Sequence, residues 1–161
     1  MSYSVNSSET EVTVTFTVDE LFNKVYRATS YIARNIRDDK GNHELQGIVL
    51  SPEDRDMFGD LLDNEAAHCY EPFLQFGKPV EDYYSISTSL TFHIFLPPRY
   101  NSEMLPIVAN NLEQALVNGV VLRWFKLVGG NRLGNAYQQV TEDATNSYNK
   151  LKELYMFLLY R

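Results

Sequence analysis

The chain is 161 residues long, with 14 Lys+Arg against 21 Asp+Glu and a net charge of −7. Its 44% apolar and 13% aromatic content excludes a disordered chain and gives one domain enough material for a core without disulfides or metals. A pI near 4.9 argues against binding nucleic acid by phosphate neutralisation, and no apolar run reaches the ~18 to 20 residues of a membrane span.

Residues 1–10 are polar and Ser-rich and read as a flexible N-terminal arm. Val12, Val14 and Phe16 alternate with threonines, which predicts a short strand over 11–16. Thr17-x-x-Glu20 has capping-box spacing. Leu21, Val25, Ala28, Ile32 and Ile36 then form one apolar stripe, predicting a helix over 18–37. Ser51-Pro52-Glu53-Asp54 starts a second helix whose buried side is read as Met57, Leu61, Leu62, Ala66, Cys69, Tyr70 and Phe73. Pro72 predicts a kink or an early end.

Residues 83–96 alternate without a break. Tyr84, Ile86, Leu90, Phe92 and Ile94 lie on one face, with Ser85, Ser87, Ser89, Thr91 and His93 on the other. The segment is either one long strand or a hairpin turning at Ser87-Thr88-Ser89, and the unbroken alternation favours the strand. A third helix begins at Ser102, and its second half, 116–128, is apolar nearly all round and includes Trp124 and Phe125. Gly129 or Gly130 suits a left-handed C-cap, and a last helix covers about 136–160. The expected fold is mainly α within the α+β class. It is a single domain with a four-helix body, a short N-terminal strand, and a long strand or hairpin between helices two and three.

Chemical signatures are sparse. Cys69 is the only cysteine, so no disulfide framework forms within the chain, and the N-terminus lacks the basic and apolar regions of a secretory signal. Glu65-x-x-His68 is half of a di-iron motif, without the second copy that such a site needs. It reads as a helix-surface carboxylate beside a partly buried histidine. The Gly129–Gly134 loop lacks the Lys-Ser/Thr ending of a phosphate loop and follows a helix. Arg27, Arg34 and Arg37 share a helix face, which reads as solvated or as an intersubunit ion-pair surface. No catalytic, cofactor-binding or metal-ligating set is predicted.

The stretch from Leu105 to Arg161 has a long apolar helix with Leu116-Val117-Asn118 and Arg123-Trp124-Phe125. It continues with a Gly/Asn-rich turn and a closing helix ending Leu154-Tyr155-Met156-Phe157-Leu158-Leu159-Tyr160-Arg161. It resembles the C-terminal half of tailed-bacteriophage head–tail connector proteins, the adaptor or neck-ring proteins. Phe16-Thr17-Val18-Asp19-Glu20-Leu21 is similar to the starts of small neck proteins of gut-bacterial and crAss-like phages. The resemblance implies a non-enzymatic virion protein that forms a homo-oligomeric ring, of about twelve subunits, between portal and tail. DNA would pass through the ring without specific binding. The β character of 83–96 departs from that largely helical family.

The apolar 116–128 helix and the long strand also lead us to expect a homo-oligomer. Residues 83–96 are expected to project as a β-arm and pair with another chain, with Tyr84, Ile86, Leu90, Phe92, Ile94, Trp124 and Phe125 as the interface set, Trp124 and Phe125 being read as core or interface. A hairpin folded back on the helices is the alternative for that segment. Other readings of the whole chain are a tail-completion protein, a small intracellular protein-binding module, and an enzyme with a cleft between helices two and three using Glu65, His68 or His93.

Overall fold

The computed structural model describes residues 3–7, 10–35, 49–76, 84–129 and 134–159. Among these, four strands form one antiparallel sheet: β1 (Tyr3–Ser7), β2 (Glu11–Thr17), β3 (Tyr84–Ile86) and β4 (Ser89–Phe95), in the order β1-β2-β4-β3. Four helices cover one face: α1 (Val18–Asn35), α2 (Arg55–Tyr70), α3 (Leu105–Val128) and α4 (Asn135–Leu159). The α+β expectation and the four helices hold.

The sheet is where sequence and structure part. The N-terminal segment is not a loose arm: Tyr3–Ser7 pairs with β2 in the register Tyr3↔Phe16 to Ser7↔Val12. Five residues too polar to read as a strand alone are ordered by the ladder they complete. Val5 packs against the core, which anchors them from one face. Residues 83–96 are not one long strand but a hairpin, with β3 and β4 joined at Ser87-Thr88. The Ser87 N–H donates to the Ser89 carbonyl at 3.0 Å, and the Val18 N–H donates to the Thr88 carbonyl at 3.1 Å, which ties the turn to the start of α1. Residue 83 lies outside the described residues.

The hairpin does not project. β4 pairs with β2 along its whole length, from Glu11↔Phe95 to Thr17↔Ser89, and so sits in the middle of the sheet. Leu90, Phe92 and Ile94 join Val12, Val14 and Phe16 beneath the helices, all 2% exposed or less. The reason is arithmetic: a strand rich in apolar residues needs neighbours on both edges. β1 and β3, both weak in sequence, let one chain supply four strands.

Aromatic contacts fix the sheet to the helices. Phe92 meets Phe16 edge-on at 6.1 Å and stacks with Tyr70 of α2 at 6.2 Å, and Phe73 meets Tyr155 of α4 edge-on at 4.8 Å. Each such pair adds roughly 0.5–1.5 kcal/mol beyond its buried area. The Tyr70 hydroxyl donates to the His93 carbonyl.

The second helix starts as its sequence suggests. The Asp54 carboxylate accepts from both the backbone N–H and the hydroxyl of Ser51 at 2.9 Å. The chain makes a 3-10 turn over Pro52–Asp54 before α2, and ends the helix at Tyr70 with a 3-10 stretch over Glu71–Phe76 that contains Pro72. Phe58, not Met57, is buried at the front of α2; Met57 is 41% exposed.

Helix α3 threads the centre, touching α1, α2, α4 and β1. That placement explains its apolar second half within one chain. Trp124 and Phe125 are 4% and 0% exposed, so their burial calls for no neighbouring subunit. Gly129 ends α3 in the left-handed conformation with φ 117°, its N–H donating to the Phe125 carbonyl at 3.1 Å, as the cap reading requires.

Candidate functional site

Helix periodicity places Glu65, His68 and Cys69 at i, i+3 and i+4 on one face of α2, and Gly119 and Arg123 at i and i+4 on one face of α3. The two faces meet, and Tyr148 of α4 closes the group. Glu65 is 5% exposed, so it is a buried carboxylate and not the helix-surface one expected. Arg123 donates its Nε–H to Glu65 Oε2 at 2.6 Å, and the Cys69 thiol donates to Glu65 Oε1 at 3.5 Å. Both carboxylate oxygens are therefore engaged.

Gly119 makes this possible. A Cβ there would lie 2.7 Å from Glu65 Cγ and nearer still to its carboxyl group. Glycine inside a helix costs about 1 kcal/mol relative to alanine. The close approach of the carboxylate to the α3 backbone explains why a glycine stands there.

Around this pair, the His68 ring stacks on Tyr148 at 4.1 Å, and His68 Nδ1 lies 3.6 Å from Glu71 Oε2. The Tyr148 hydroxyl donates to Glu71 at 3.3 Å, and Lys152 Nζ sits 5.1 Å from the Tyr148 ring centroid. Burial first, and Glu71 second, push the Tyr148 phenol up from 10.0 to about 12. Burial, and then the adjacent Glu65 charge, push the Cys69 thiol well above its ordinary 9.0. The thiol therefore stays protonated at neutral pH and is a poor nucleophile. A cavity of about 290 Å³ opens over the group, lined by Glu65, His68, Arg123, Lys126, Thr145 and Tyr148 among others.

Glu65 and His68 line the same cavity, whereas His93 lies on the open face of the sheet, its Nδ1 3.4 Å from Glu11 Oε1. Among the described residues no group of three or more His, Cys, Asp or Glu is arranged to hold a metal ion. His43 and Arg37 lie outside the described residues. Arg123 as the partner of Glu65, and Tyr148 as that of His68 and Glu71, escaped the sequence reading. The signal available was the glycine at 119 inside an apolar helix, one turn before an arginine.

Of the expected interface residues, Leu90, Phe92 and Ile94 belong to the core of a single chain, which corrects their assignment to an interface, and Trp124 and Phe125 take the core place that was one of the two expected for them. Ile86 is half-buried against that core, and Tyr84 lies in β3. Surface that a partner can reach lies elsewhere. An apolar groove of about 410 Å³ runs between α1, α3 and α4, walled by Ala28, Ile32, Val121 and Val140, with Tyr31 67% exposed at its side. The outer face of the sheet carries Thr13, Thr15, Thr91 and His93, with Thr15 and Thr91 hydroxyls 3.2 Å apart.

Comparison with protein-family models, with curated proteins and with solved structures returns no match for the chain.

Proposed function

We propose that this chain is a structural subunit of the neck of a tailed bacteriophage, a ring protein between portal and tail that extends the DNA channel and is not an enzyme. Its site of action is the assembled virion, and its partners are copies of itself, the portal and the tail or neck proteins. The resemblance over Leu105–Arg161 is one support: a long apolar helix, a glycine cap and a closing amphipathic helix correspond to α3, Gly129 and α4.

The observation that carries the reading is the pairing of two unlike open surfaces. A closed ring needs head-to-tail contacts, so each subunit must offer two different patches that fit one another. The apolar α1–α3–α4 groove with exposed Tyr31 is one such patch. The edge strand β1, whose outer side pairs with no strand among the described residues, and the adjoining threonine face are another, with hydroxyls in place of apolar side chains. The net charge of −7 suits a channel protein, because like charge keeps DNA from adhering.

Negative-stain images and light scattering of the purified protein test this. Rings are expected, and Tyr31→Asp should abolish them while circular dichroism stays that of a folded chain. A stable monomer at high concentration counts against the ring.

A further inference from the structure

The geometry points to an anion-binding site in the cavity between α2, α3 and α4, built for a small oxyanion, a phosphate or a carboxylate, held by Arg123 and Lys126. Arg123 is bound to Glu65 through Nε alone. Its two Nη groups have no partner among the described residues, and its side chain, 36% exposed, lines the cavity. Lys126, in the last turn of α3, is exposed, joins no ion pair among the described residues, and lines the same cavity. Thr145 of α4 lines it as well, a residue that carries a further hydroxyl donor.

The acids nearby are already spent. Glu65 is bonded through both oxygens, and Glu71 accepts from Tyr148 and faces His68. Arg123, Lys126, Thr145 and His68 therefore face the opening beside a Glu65 whose charge Arg123 balances, in a chain whose net charge is −7. Fixing one guanidinium nitrogen on a buried carboxylate leaves the rest of the planar fork oriented in advance, which is the form in which arginine recognises carboxylate and phosphate.

A buried ion pair adds little net stability over an apolar pair of the same volume. Retaining Glu65 at the cost of a mid-helix glycine is better explained if the pair orients Arg123 toward a ligand. The His68–Tyr148 stack and Leu122 give the cavity a flat, half-apolar wall beside the cations.

Titration calorimetry of the full chain, with inorganic phosphate and separately with acetate at constant ionic strength, tests the site. Saturable binding at one site per chain is expected. Phosphate alone would mark a phosphate ligand, and acetate as well a carboxylate one. Arg123→Lys keeps a cation beside Glu65 but removes the fork, and Lys126→Gln removes the second cation. Each should weaken binding about tenfold or more, the value of one charge-assisted hydrogen bond. Thermal melting should show Lys126→Gln as stable as the parent. If Arg123→Lys lowers the melting temperature, Lys126→Gln decides alone. No saturable binding of either anion, or binding undiminished by Lys126→Gln, overturns the site.

Discussion

Helix α3 carries a buried carboxylate pair on two of its sides, and the two differ in an informative way. At the α1 seam, Glu113 of α3, 5% exposed, meets Lys24 of α1. At the α2 seam, Glu65 of α2, also 5% exposed, meets Arg123 of α3. The acids are equally buried and the bases equally half-covered, with side chains 36% exposed in both. The difference lies in the shape of the base. Lysine brings a compact ammonium on a flexible stem, whereas arginine brings a planar fork of which one nitrogen suffices for the acid. The α2 seam alone has a glycine beneath its carboxylate, and there the α3 backbone itself makes room for the pair. Equal burial thus goes with a compact ammonium on one side and a planar fork lining a cavity on the other.

The largest effect lies in what both seams share. Trp124→Ala removes a buried aromatic from the C-terminal part of α3 and should cost about 3–5 kcal/mol in chemical denaturation. A loss below ~1 kcal/mol would mean that α3 is not the common support. Next come the two bases. Arg123→Met and Lys24→Met each take the cation from a buried acid, and each should cost about 2–3 kcal/mol, below the ~3–5 kcal/mol of a fully buried pair because the bases are partly solvated. Unequal costs would show that something other than burial distinguishes the seams.

Gly119→Ala belongs to the α2 seam only. Alanine improves helix propensity by about 1 kcal/mol, yet its methyl collides with Glu65, so a net loss of roughly 1–2 kcal/mol is expected. The double variant Glu65→Ala, Gly119→Ala should recover that loss, and additive costs would refute the collision.

The smallest change is a control outside both seams. The Tyr155 hydroxyl is buried without a hydrogen-bond partner among the described residues, and burial pushes its phenol up from 10.0 to about 12. The folded state therefore holds the proton more tightly than the unfolded one. The stabilising contribution is complete below pH 10 and is lost as the pH rises from 10 through 12. Tyr155→Phe should be neutral or gain up to ~1 kcal/mol at pH 7, and should decline less between pH 10 and 12 in denaturant titrations. Cys69, raised from 9.0, makes the parent protein lose stability from about that pH upward as well.

Much of the helical architecture is legible in the chain. The stripe Leu21-Val25, the Ser51–Asp54 start, the break at Pro72 and the cap at Gly129 are local effects of side-chain spacing and backbone preference. The sheet is legible in β2 and in the alternating segment that holds β3 and β4, but not in β1. Alternation from Tyr84 to Ile94 runs straight across the turn at Ser87-Thr88, because a two-residue connection preserves the period of two, so pattern alone cannot separate a strand from a hairpin.

Sequence by itself determined the class, the four helices and the two apolar strands, since these follow from composition and short-range periodicity. Tertiary structure alone decided that Tyr3–Ser7 is a strand, that Phe92 and Trp124 face inward, and that Glu65 meets Arg123 across 58 residues of chain. Each of those outcomes depends on which surfaces close against one another. A polar segment becomes a strand when a ladder offers its hydrogen bonds, and a carboxylate becomes buried when a glycine on another helix leaves it room.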